Sequence, residues 1–254
     1  MRFRKIHFIF SWHICIVFFW FVSCKKDKQP ETPPVSNPVL EVIQGINFSI
    51  GYTVDSLSFV SNSFNYNTLA GYNYSITNLS YYLSKISLIK ADSTCVLLNE
   101  YLFVDALSAS TNQLLVKNIP AGNYIGLKFN IGLDSLHNIS DTLPATIENI
   151  NMQWPVIMGG GYHFLKLEGY YKDSTGTYGY AMHLGTTNCL IPIKIIKPIT
   201  ILANTATSVH LVMNINEWFK NPHTYNFNVD GNYIMGNAIN MKKIADNGVD
   251  VFNF

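Results

Sequence analysis

An antiparallel β-sandwich with one short helix near the carboxyl terminus is the fold class this sequence predicts, on three observations. From Tyr124 to Asp134 apolar residues fall on every second position, Ile125, Leu127, Phe129, Ile131 and Leu133, with Lys128 and Asn130 between them. A period of two sets one face of a strand in a core and the other in water. Comparable stretches run from Leu40 to Val54, Tyr81 to Ile89, Cys95 to Val104, Tyr162 to Tyr171, Leu190 to Leu202 and Ser208 to Ile215. Turn segments such as "IPAGNY", "DSTGTYGY" and "KNPHTYN" separate them, and no periodic helix of the kind that joins parallel strands intervenes. Only the segment from Asn237 to Asn247 reads as helix.

The first element in chain order is not part of that fold. Arg2, Arg4 and Lys5 precede an apolar run from Ile6 to Val22 that ends in Phe21-Val22-Ser23-Cys24. This is the order of a signal peptide: a basic start, an apolar centre and a small residue before the cut. His7, Ser11 and His13 interrupt the run and Lys25 and Lys26 follow it, so a permanent membrane helix of about 20 apolar residues fits less well. A cysteine at the cleavage point is what a lipoprotein signal needs, because its thiol carries the lipid. Residues 1–23 therefore read as a lipoprotein signal peptide and Cys24 as the lipidated residue. Residues 24–39, "CKKDKQPETPPVSNPV", read as a proline-rich tether too polar to fold. Residues 40–254 are left for one all-β domain, immunoglobulin-like or a related sandwich, a size such domains reach without splitting.

Composition narrows function. Of the 17 basic residues three lie in the signal, leaving 14 against 16 acidic ones. Both arginines are among the three removed, so the domain has no guanidinium fork for phosphate or carboxylate, and a nucleic-acid partner is not expected. Of the four cysteines, Cys15 leaves with the signal and Cys24 is acylated. Cys95 and Cys189 remain in an oxidising compartment, either joined as a disulfide or buried separately as small hydrophobes.

No nucleophile elbow, phosphate loop, paired-histidine helix or paired-cysteine knuckle is present, and the expectation is that the chain is not an enzyme. Asp134 and His137 in "LDSLHN" have no serine or cysteine beside them to activate and read as a loop's own hydrogen bonds. The distinctive stretch is Met152 to His183, with Met152, Trp154, Met158, three consecutive glycines, Tyr162, His163, Met182 and His183. Apart from Met1, every methionine lies at or beyond Met152. Thioether and neutral imidazole suit copper, above all Cu(I), though methionine and tryptophan also serve as plain core residues.

The blocks "NLSYYLSKISL", "LLVKNIPAGNYIGLKFNIGLD", "MQWPVIMGGGYHFLKLEG", "YAMHLGTTNC" and "MKKIADNGVDVF", in that order, resemble the MbnP-like family of periplasmic and surface copper-binding proteins from Val42 onward. The resemblance implies a β-sandwich that binds copper through histidine and a tryptophan oxidised to kynurenine, the oxidation being made by a partner di-haem cytochrome of the peroxidase type. Trp154 matches the first tryptophan of the family's Met-x-Trp-x-Trp pattern and His183 the histidine of its His-x-Gly block. The sequence departs at Val156, where the second tryptophan would stand, in the extra Met-Gly residues before Tyr162, and at Met235-Gly236, where a Met-His pair is often seen.

Further ligand candidates are weighed by alternation. His163 shares parity with Leu165 and Leu167, which suggests a core-facing ring bonded to a backbone carbonyl. His137, near the end of a long strand, could reach a metal from a sheet rim. His210 and His223 rank below them. The reading is a lipoprotein anchored at the outer membrane, on its periplasmic face or the cell surface, that acquires, buffers or transfers copper. Lys26-Asp27 partly resembles the charged export signals of surface lipoproteins in the Bacteroidetes group. The alternative is a metal-free surface module presenting tyrosine-rich loops, Tyr66 to Tyr82 especially, to a glycan or protein.

Overall fold

Among residues 44–254, which the computed structural model describes, the strands form two sheets. The signal segment 1–23 and the tether 24–39, with Cys24, lie outside the described residues. The smaller sheet contains β1 (Gly45–Val54), β2 (Leu57–Ser58), β6 (Gln113–Lys117), β11 (Ala206–Asn214) and β12 (Phe252–Asn253). The larger contains β3 (Tyr66–Asn67), β4 (Asn73–Ile89), β5 (Cys95–Asp105), β7 (Gly122–Ile131), β8 (His163–Lys172), β9 (Thr177–Gly185) and β10 (Ile191–Ile201). No helix among the described residues is long and apolar enough to cross a membrane.

The 17-residue β4 organises the larger sheet. Its first half pairs with β8 and its second half with β7, while β5 pairs along the opposite edge from Ser80 to Ile89. These ladders are antiparallel, as the alternation predicts. The exception is β1, which runs parallel to β11 over Gly45–Thr53. Parallel neighbours need a long crossover, and here most of the chain lies between them.

The two sheets meet through alternate residues. Ile46, Phe48 and Ile50 of β1 and Val209, Leu211 and Met213 of β11 are buried. Phe252 of the smaller sheet packs edge-on against Phe129 of the larger at 5.2 Å, and the Tyr52 and Tyr81 hydroxyls meet at 3.0 Å across the sheets. Burying a phenylalanine of this kind stabilises by roughly 1.5–3 kcal/mol.

Three expectations need correction. Ile125 is exposed and Tyr124 buried instead, at the end of β7 where the pairing with β10 loses register between Ile196 and Ile199. Pro198 lies inside that slip and has no N–H for the ladder. Below it the predicted face holds: Leu127, Phe129, Ile131 and Leu133 are buried. The tyrosines expected on recognition loops are core residues, since Tyr66, Tyr74, Tyr81 and Tyr82 are all buried. The first half of β4 and the whole of β9 are strands that alternation did not single out; on β4 both faces are largely buried, which erases the alternating pattern.

The helical tail is as predicted. Asn237 caps α3 (Ala238–Asn247) by accepting from the Asn240 N–H at 3.1 Å. Two shorter α-helices, α1 (Ile147–Asn151) and α2 (Phe227–Asp230), and short 3-10 turns lie between the strands.

Candidate metal centre

The segment that enters β8 is a loop folded back on itself. Thr146 caps α1 by accepting from the Asn149 N–H, and the chain then runs out through Trp154 and returns through Gly161, whose carbonyl accepts from the Trp154 N–H at 2.9 Å. Gly159, Gly160 and Gly161 all have positive φ, which lets so short a loop reverse. Side chains at Gly160 and Gly161 would collide with Ser140 and Asn138, which bond the Gly161 and Tyr162 N–H groups at 2.8 Å each. The glycines thus admit a neighbouring loop.

A β-bulge decides where His163 points. Leu165 pairs with Leu184, but His163 pairs with Gly185, so β8 carries one extra residue at Phe164. The extra residue moves His163 off the face of Leu165 and Leu167 and onto the opposite one, with His183 and Glu168. This corrects the parity expectation, although the expected carbonyl bond is present. Gly185 leaves space that the Trp154 indole fills; a Cβ there would lie 2.4 Å from the ring. Trp154 packs edge-on against His163 at 4.8 Å between ring centres, and His163 meets His183 at 5.0 Å with the rings perpendicular.

Hydrogen bonds fix which nitrogens carry protons. His163 Nδ1 lies 3.1 Å from the Met152 carbonyl, which can only accept, so Nδ1 is the donor. Its Nε2 is then a lone pair, buried and without a partner. Burial, reinforced by the Lys166 charge, pushes the His163 pKa down to about 4, so the ring is neutral at neutral pH. His183 Nε2 lies 2.6 Å from the Glu168 carboxylate, which again makes that nitrogen the donor and leaves Nδ1 for another partner. Asn78 holds the other Glu168 oxygen at 3.2 Å. The hydrogen bond from His183, followed by these lesser partners and opposed by burial, lowers the Glu168 pKa. A carboxylate behind an imidazole is the arrangement that orients metal-binding histidines.

Two imidazoles and a buried indole thus lie together as the candidate centre, with Nε2 of His163 and Nδ1 of His183 outside these hydrogen bonds. An orphaned buried lone pair costs about 1–3 kcal/mol, a cost that a soft cation would relieve. The donor set fits Cu(I), which accepts few ligands and favours nitrogen and sulfur.

A family model described as MbnP matches residues 43–238. The chain belongs to the MbnP family. Among curated proteins none matches it. Of solved structures, MbnP from Methylosinus trichosporium is 11% identical, covering 70% of this chain and 78% of that one at a TM-score of 0.49, a likeness too slight to carry an argument.

In this member of the MbnP family the structure brings Trp154, His163 and His183 together and leaves His137 elsewhere. His137 Nδ1 lies 3.0 Å from Asp134, in the turn after β7, and a Glu100 oxygen from β5 completes a cluster whose ligand atoms fall within 4.8 Å of one another. These three groups could hold a metal ion. Two carboxylates and an imidazole suit a harder ion than Cu(I), and Lys85 already pairs with both Glu100 and Asp134, at 3.3 Å from the latter. Asp134 also accepts from the Leu136 and His137 N–H groups, as its loop position predicted. Glu100 was not legible, because only the β4–β5 pairing carries it there. His210 bonds Ser49 and His223 approaches Asp246, both away from the centre.

Cys95 and Cys189 are free thiols and are not joined. Cys95 is exposed where β5 begins, whereas Cys189 is buried in the turn after β9, where burial raises its thiol pKa. The family departures also find places. Val156 is exposed on the loop, and Met158 reaches back so that its methyl occupies the space a side chain at Gly236 would take, 2.7 Å from that Cβ position.

Proposed function

We propose that this protein is a copper-binding lipoprotein of the cell envelope, anchored through Cys24, that holds Cu(I) at His163 and His183 beside Trp154 and acquires, buffers or transfers it without catalysing a reaction. The observation that carries this reading is the buried, unpartnered Nε2 of His163, with the His183 ring 5.0 Å away and its own ε-nitrogen committed to Glu168. His163 Nε2 and His183 Nδ1 would be the donors. Bound copper would add a soft electron-pair acceptor able to cycle between two oxidation states.

Family membership supports the metal, and the reading that Trp154 becomes kynurenine rests on the family resemblance together with the placement of the ring against His163. An aryl amine made from the indole would give a third donor. That product requires a haem-containing oxidant, and a di-haem cytochrome of the peroxidase type is the proposed partner.

The test is Cu(I) affinity by competition with a chromophoric chelator, on protein from its own host and with intact mass recorded. His183→Ala should lower affinity by orders of magnitude with little change in unfolding temperature, His163→Ala should lower it likewise, and His210→Ala should be silent. Equal affinity in wild type and His183→Ala, with Trp154 unmodified, would remove the copper centre. The alternative of a tyrosine-rich recognition surface loses support from the burial of Tyr66, Tyr74, Tyr81 and Tyr82.

A further inference from the structure

Trp154, which packs against His163, also walls a pocket of about 600 Å³. Three sulfur side chains line that pocket: Met158 from the glycine loop, Cys189 from the turn after β9, and Met241 from α3. They come from three separate elements, and Gly236 is the gap through which Met158 reaches the α3 side. Cys189 and Met241 are nearly inaccessible, at 3% each, and form the floor; Met158 is 36% exposed.

We propose that this pocket is a second, sulfur-lined site for a soft monovalent cation, Cu(I), formed by Cys189, Met241 and Met158 beside the imidazole pair.

The lining chemistry selects the ion class. No carboxylate lines the pocket, and its one charged side chain, Lys242, has its charge paired with Asp246 on the same helix. A hard divalent cation would find no oxygen anion there. A thiolate with two thioethers matches Cu(I), for which such ligands are selective. Methionine has three rotatable bonds and adapts its sulfur to a site, so the half-exposed Met158 can close over an ion held by the fixed floor. As the Cys189 sulfur bonds Cu(I), its thiol proton leaves to solvent; one positive charge enters and one departs, and no oxidation state changes. Trp154 then stands between two copper sites, one of nitrogen and one of sulfur donors, so that an ion taken up at the open pocket has a short path inward.

This deepens the copper reading, and the test separates the two. Mature protein with Cys24 acylated and carrying Cys95→Ser, which removes the exposed thiol among the described residues, is equilibrated with Cu(I) at a fixed free concentration set by a chelating buffer. Bound copper is counted and its ligand shell read by X-ray absorption. Two copper ions per chain are expected, with His183→Ala retaining one whose shell is dominated by sulfur. Adding Cys189→Ala to that variant should remove the sulfur shell. The near-isosteric pair Met158→Leu and Met241→Leu should raise the free Cu(I) needed for half-loading by tenfold or more with the unfolding temperature held. A single copper with a nitrogen-only shell, lost in His183→Ala, would overturn the pocket site and leave the imidazole centre standing. A sulfur shell that persists in the double leucine variant at unchanged affinity would overturn it equally. Copper count and shell both unmoved by His183→Ala would instead remove the imidazole centre alone.

Discussion

His183 on β9 and Glu168 on β8 meet at 2.6 Å across neighbouring strands, and that one hydrogen bond determines which imidazole nitrogen is left for a metal. Removing the carboxylate frees the ring to flip or change tautomer. Glu168→Ala is therefore expected to lower Cu(I) affinity about 10–100-fold. Competition titration measures this, with near-ultraviolet circular dichroism as the check on folding; unchanged affinity would show that Glu168 does not orient the ring.

Acid should weaken the fold through His163. Its folded pKa, about 4, lies below the usual 6.5, so between those values the unfolded chain binds the proton more readily than the folded one. Stability is greatest above about pH 6.5 and falls as pH drops toward 4, by at most ~3 kcal/mol from this ring. Urea midpoints at pH 7 and 4.5 should differ more in wild type than in His163→Asn. Parallel pH profiles for the two proteins would contradict the assignment.

Gly185 is kept empty by the indole above it. In Gly185→Val the new side chain meets the Trp154 ring, and overpacking of this kind costs about 1–3 kcal/mol. The Trp154 fluorescence should shift with it, because the ring must leave its contact with His163. A variant with wild-type emission and unfolding temperature would mean that the ring sits elsewhere.

Phe129 and Ile125 share a strand and differ in fate. Phe129→Ala should cost about 3–5 kcal/mol, since the ring is buried against Phe252. Ile125, exposed on β7 opposite the irregular stretch of β10, should cost less than about 1 kcal/mol when cut to alanine. Chemical denaturation of the two variants tests the face reversal directly, because strict alternation would make both costly.

Anchoring is tested by Cys24→Ala. The precursor should escape lipidation and leave the membrane fraction, while Cys15→Ala changes little. Membrane retention of a correctly cleaved Cys24→Ala protein would refute the lipid anchor.

What repeats locally was legible from the amino-acid order alone. Alternation marked β7 from Leu127 to Ile131, the tail from Asn237 to Asn247 read as the helix that became α3, and the quoted blocks marked the family. Such features depend on neighbours a few residues apart, whose spacing is fixed by strand and helix geometry. Trp154 and His183 were picked out by their place in those blocks. The tertiary structure decided the rest. One extra residue at Phe164 turned His163 from the expected core face toward His183, and a bulge of one residue reverses every side chain beyond it while leaving composition untouched. Glu168, Lys85 and Glu100 took their roles from strand pairing, and Cys189, Met158 and Met241 gathered from three elements. Contacts between residues distant in the chain depend on register, and register is set by the packing of the whole sandwich rather than by any segment of it.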